Sequence, residues 1–94
     1  MPVEECVSPH VVAACRDHVR LDWRMPYRTP ERVRSLAWTC DCRSPVYELC
    51  EGGGQAFVRR TVRVREGAET HETPRWSLTQ ARVVWAALLS GRAR

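Results

Sequence analysis

Residues 46–65 read VYELCEGGGQAFVRRTVRVR, and this stretch sets the fold class. Tyr47 and Leu49 alternate with Glu48 and Cys50, the period of two that sends successive side chains to opposite faces of a strand. Glu51-Gly52-Gly53-Gly54-Gln55 then reads as a hairpin loop, because glycine takes positive φ without steric cost. Beyond it, Val58, Arg60, Val62 and Val64 share one face, while Phe57, Arg59, Thr61, Arg63 and Arg65 share the other. Two antiparallel strands follow, at about 46–51 and 55–66.

Toward the N-terminus, Leu36, Trp38, Cys40 and Cys42 alternate with Ala37, Thr39 and Asp41, which predicts a strand over about 36–42, turned by Arg43-Ser44-Pro45. In the other direction Glu66-Gly67-Ala68 turns into a fourth strand at about 69–75, polar on both faces and confined to an edge by Pro74. Ser77-Leu78-Thr79-Gln80 has capping-box spacing, and Leu78, Ala81, Trp85, Leu88 and Leu89 form one apolar face before Gly91. The spacing predicts a helix over 78–90.

Ser8-Pro9 followed by Val11, Val12, Cys15 and Val19 at helical spacing predicts another helix over 9–20. Pro26 and Pro30 make 22–30 an extended crossover, with a short helical turn opening at Thr29-Pro30-Glu31-Arg32. The expectation is one α+β domain over 1–94: an N-terminal helix, a three- to four-stranded antiparallel meander, and a C-terminal helix packed on one sheet face.

Ninety-four residues, 44% of them hydrophobic, suit a single core; a chain of this size buries roughly two-thirds of its unfolded surface. No apolar run nears the ~18–20 residues of a membrane span. Glu4 and Glu5 stand where a signal peptide carries basic residues, so a cytoplasmic protein without a membrane partner is expected. All 15 basic side chains are Arg, and Lys, Ile and Asn are absent, the signature of GC-rich codons. Arg is therefore first the solubilising cation here. The net charge of +4 is concentrated in residues 23–65, where nine Arg face Glu31, Asp41, Glu48 and Glu51. That asymmetry favours an acidic macromolecular partner.

Five cysteines offer the most distinctive chemistry. Cys40, Cys42 and Cys50 are candidate zinc ligands, with Cys6, Cys15, His10, His18 and His71 available to complete a tetrahedral set. Alternation places Cys40 and Cys42 on the face of Trp38 but Cys50 on the face of Glu48, so uniting them requires an irregular turn. The competing reading makes Cys15, Cys40 and Cys42 small buried hydrophobes and needs no cofactor. Cys50 then reads as a solvent-facing, reactive thiol. Disulfides are disfavoured by the compartment, and the odd count leaves one thiol over.

The chain lacks G-x-S-x-G, H-E-x-x-H, P-loop and G-x-G-x-x-G motifs, and a non-enzyme is expected. The candidate binding residues are Arg43, Arg59, Arg63 and Arg65 with Phe57, a platform of guanidinium forks and one aromatic, together with Gly53 in the hairpin loop. Glu48 and Glu51 can pair with these arginines across the sheet. Trp38 and Trp85 read as core anchors. The leading expectation is a small regulatory or adaptor protein that binds another protein through the sheet face or the Gly52–Gly54 hairpin. A nucleic-acid-binding protein using the Arg face comes second, and a zinc- or thiol-dependent module third.

The order helix, three strands, helix resembles the double-stranded RNA-binding domain by topology across about 9–90, with a similar closing helix at Ala81, Ala86, Ala87, Leu88 and Leu89. That resemblance implies RNA binding; where the family carries a lysine cluster, this chain has Ser77, Thr79, Gln80 and Arg82. Residues 75–85, RWSLTQARVVW, look like the strand-to-helix passage of leader-peptide recognition domains, which implies peptide binding. Tyr47-Glu48-Leu49-Cys50, Gly52-Gly53 and Phe57-Val58-Arg59-Arg60-Thr61 resemble small uncharacterised actinobacterial proteins, which implies a lineage and no activity.

Overall fold

A computed structural model describes residues 8–26 and 32–94. Four strands form one antiparallel sheet in sequential order: β1 (Arg34–Trp38), β2 (Val46–Gly52), β3 (Gln55–Val64) and β4 (Gly67–Glu72). One helix, α1 (Leu78–Leu89), follows. The β2–β3 hairpin forms where the sequence predicts, with Leu49 opposite Val58, but its loop is tighter than the expected Glu51–Gln55, because Gly52 pairs with Gln55 and leaves a two-residue tip. Gly53 and Gly54 supply that tip at φ of 61° and 79°.

The first strand ends at Trp38, four residues earlier than expected, because Thr39 leaves the ladder and closes the loop instead. Its amide donates to the Tyr47 carbonyl at 2.9 Å, and its Oγ1 accepts from the Tyr47 amide at 3.0 Å. Thr73 does the same beyond β4, accepting from the Val58 amide through Oγ1. β4 therefore ends at Glu72, and residues 73–76 continue alongside β3 through the Ala56–Trp76 bridge.

α1 starts where the sequence predicts. Ser77 Oγ accepts from the Gln80 amide at the N-terminus. At the other end Gly91, at φ 84°, lets its own amide reach the Leu88 carbonyl and the Arg92 amide reach Ala87. This is the Schellman pattern, which satisfies carbonyls that a helix end leaves over. Ala81, Trp85 and Leu88 are buried against Tyr47, Leu49, Ala56 and Val58. Truncating a fully buried leucine such as Leu88 to alanine costs about 2–5 kcal/mol at sites of this kind.

The N-terminal helix expected over 9–20 is absent. Residues 8–26 instead run as a strap over the helix C-terminus, without helix and broken by a turn in which the His18 amide donates to the Cys15 carbonyl. The Val12, Cys15, Val19 and Leu21 amides donate to the Leu89, Gly91, Arg92 and Arg94 carbonyls at 2.7–2.9 Å, and Arg94 N returns a bond to the Val19 carbonyl. Backbone groups satisfied this way have no need of a helix. Val12 and Val19, read as an apolar helical face, are exposed, while Val11, Leu21 and Trp23 pack against the core. The Arg94 guanidinium fastens the junction, donating to the carbonyls of Leu88 and Val12. The strap then reaches β4, where Arg24 and Glu72 exchange two backbone bonds of 2.8 Å. Most of the short turn expected at 29–32, and of the crossover beyond Pro26, lies outside the described residues.

Candidate functional site

α1 covers one face of the sheet and leaves the opposite face, built from the even-numbered positions of β2 and the odd-numbered positions of β3, as the candidate surface. Phe57 and Cys50 are paired at its centre and both are fully buried. The placement corrects two expectations. Phe57 is no exposed stacking platform, because the Arg75 guanidinium lies 4.3 Å from its ring centre and that of Arg59 5.8 Å away. Cys50 is no solvent-facing thiol, and burial pushes its pKa up, an effect that the neighbouring Arg59 only partly opposes. A thiol held protonated is a poor nucleophile.

Arg59 lies between two carboxylates, 3.1 Å from Glu72 and 3.8 Å from Glu48, so one ion-paired triplet spans β2, β3 and β4. Glu72 is 5% exposed. Charge-assisted bonds at buried positions hold their groups firmly and leave Arg59 committed within the sheet. Glu51 also pairs across strands, with Arg34 at 2.7 Å. Ser35 donates to Glu48 at 2.7 Å, which fixes the carboxylate from the β1 side.

Trp38 stands at the β1 edge of this face, in register with Glu48, and is 52% exposed. It is therefore not the core anchor that alternation suggested; a register shift between Ser35 and Ala37 turns it outward. With half-buried Val46 it lines a shallow cleft beside Thr39, Cys40 and Asp41. At the other side, Arg24, Met25, Gln55, Glu72, Pro74 and Arg75 line a second cleft.

The remaining basic candidates gather at one end. Arg43, Arg63 and Arg65 are exposed, and none has a carboxylate within 4 Å among the described residues. Ser44 Oγ accepts from the Arg63 amide at 2.9 Å, which brings the loop carrying Arg43 against the end of β3. Arg60, on the core side, stacks on Trp23 with its guanidinium 4.5 Å from the ring centre. Gly53 is exposed at the hairpin tip, away from the Arg cluster.

The expected cysteine trio is not brought together. Cys40 and Cys42 lie in the loop after β1, and Cys50 lies buried on β2 in the face opposite α1. Nor are Cys15, Cys40 and Cys42 buried filler: Cys15 and Cys42 are exposed and Cys40 is half-buried. The loop cysteines meet His10 of the strap instead. The donor atoms of His10, Cys40 and Cys42 lie within 4.8 Å of one another, with His10 Nε2 3.1 Å from Cys42 Sγ. The Cys40 amide donates to the Pro9 carbonyl at 2.9 Å, so backbone pairing delivers the imidazole to this loop. His10 is visible in the sequence only as an available ligand; its partner depends on a strap course that no local pattern encodes.

Among the described residues no helix is long and apolar enough to cross a membrane. Comparison with protein-family models, curated proteins and solved structures found no match to this chain.

Proposed function

We propose that the protein is a small non-enzymatic binding module, regulatory or adaptor in role, that recognises another protein through the sheet face opposite α1. The observation that carries the reading is Trp38: a large aromatic, half exposed, standing beside a triplet of charges fixed across three strands. Protein interfaces concentrate their energy in aromatic anchors ringed by ordered polar groups. The pairing of Arg59 with two carboxylates favours a protein over a polyanion, because the centre of the Arg row is already neutralised. The buried, protonated Cys50 supports a binding role over a chemical one.

A second reading rests on Arg43, Arg63 and Arg65, whose exposed cluster suits a nucleic-acid backbone. The two separate in one experiment. Complexes are isolated from the native host with the unaltered chain, Trp38→Ala, and Val83→Ala as a control on the exposed side of α1. A protein partner recovered with the control and lost with Trp38→Ala supports the sheet-face reading. Equal recovery with Trp38→Ala refutes it. Salt-sensitive retention on a polyanion resin, abolished by changing the three arginines to alanine, establishes the second reading in its place.

A further inference from the structure

We propose that His10, Cys40 and Cys42 form a zinc site that fastens the N-terminal strap to the loop after β1. The three donor atoms, one imidazole nitrogen and two thiol sulfurs, already lie within 4.8 Å of one another. Bond lengths of about 2.0 Å to nitrogen and 2.3 Å to sulfur put tetrahedral donors roughly 3.5–3.8 Å apart. Small side-chain rotations therefore suffice to close the set around an ion.

The scaffold for the site is made of hydrogen bonds that do not involve the three donor atoms. The Cys40 amide to Pro9 carbonyl bond sets the backbones of strap and loop side by side, and Thr39 closes the loop onto Tyr47 through two further bonds. Cys42 is exposed, whereas His10 and Cys40 are half-buried, so an ion reaches the site from solvent, and the described residues supply three of the four tetrahedral positions. Borderline-soft Zn2+ matches one imidazole and two thiolates, while Mg2+ and Ca2+ require oxygen donors. On binding, the two thiols release their protons to solvent. An ion held there would link residue 10 to residues 40–42, the loop that directly follows Trp38 and Thr39, and so brace the β1 edge of the face opposite α1.

The test uses the full chain, stripped with chelator and then dialysed against Zn2+ or Co2+. The expected result is one Zn2+ per chain by native mass spectrometry, with a thiolate-to-metal charge-transfer band and tetrahedral visible absorption from Co2+. Zn2+ should raise the melting temperature, since a ligand of the folded state stabilises it by mass action. Cys42→Ser should weaken the thiolate charge-transfer band, and both Cys42→Ser and His10→Ala should cut zinc affinity at least about tenfold, since changing even a residue behind a ligand costs about 10–100-fold. Cys15→Ser, an exposed cysteine outside the cluster, should leave both unchanged. Circular dichroism of Cys42→Ser checks that the fold survives. An unaltered chain that retains no ion overturns the proposal, as does equal retention by Cys42→Ser and Cys15→Ser.

Discussion

Replacing Gly91 with alanine should unlatch the strap, and Gly54→Ala provides the internal reference that makes the effect measurable. Both glycines have left-handed φ, 84° and 79°, a conformation that costs an L-residue about 1–2 kcal/mol. Alanine recovers about 0.4–1 kcal/mol of this by restricting the unfolded chain. Gly54→Ala should therefore cost no more than about 1.5 kcal/mol, because a Cβ there meets nothing within 4 Å. At Gly91 the same Cβ would sit 2.3 Å from the Ala13 carbonyl oxygen, which is backbone and can yield only if the strap moves. Retreat of the strap strains the bonds from Val12 to Leu89, from Cys15 to Gly91, and from the Arg94 guanidinium to Val12. At about 0.5–1.5 kcal/mol each, their loss brings the cost of Gly91→Ala to about 1.5–6 kcal/mol. Urea unfolding followed by tryptophan fluorescence reads the difference as a shift in midpoint. In a domain of this size each 1 kcal/mol also lowers the melting temperature by about 4–8 °C. If the two variants unfold within about 0.5 kcal/mol of each other at equal denaturant slope, the strap is not held against Gly91 as described.

Arg59→Gln should destabilise by about 1–3 kcal/mol, since Glu72 is 5% exposed and loses its ion pair with that guanidinium, while Arg34→Gln, at an exposed pair, should cost under about 1 kcal/mol; equal effects in thermal melts would contradict the burial assigned to the triplet. Brief iodoacetamide treatment of the native chain should modify Cys15 and leave Cys50 intact until denaturant is added, and peptide mapping that finds Cys50 labelled at the same rate would refute its burial. Burial raises the folded-state pKa of Cys50 and of Tyr47, so above about pH 9 the unfolded chain loses protons that the folded chain retains. Stability should consequently fall as pH rises through that range, and melting temperatures that climb between pH 8 and 10 would show the sign to be wrong.

The sheet and α1 were legible because their signals are local. Alternation over 46–64, the glycine tip, and the Ser77 and Gly91 caps each act within a few residues. The strap was not legible. Val11, Val12, Cys15 and Val19 satisfy a helical period, yet the acceptors that draw their backbone into extension lie at residues 89–94. Cys50 and Phe57 were misplaced for a different reason. Period two identifies opposite faces, but it cannot say that the second face is also covered at its centre, here by the guanidiniums of Arg59 and Arg75 around Phe57. Of the candidate site, the cysteine pair and the outer arginines were readable from composition and spacing. His10 and Trp38 required the tertiary path and the register shift in β1.

The strap has a consequence for how the chain is made. Val12 is held by Arg94, 82 positions downstream, so the segment leaves the ribosome long before its partner exists. During that interval the strap has only the sheet to pack on, through Trp23 against Tyr47 and Arg60, while the hairpin assembles from neighbours close in sequence. Joining such distant segments carries a higher loop-closure cost than forming the β2–β3 hairpin, so docking of the strap is expected to follow it. Until residues 89–94 are in place, the amides of Val12, Cys15, Val19 and Leu21 lack their native acceptors, and the strap is exposed backbone ready to pair elsewhere.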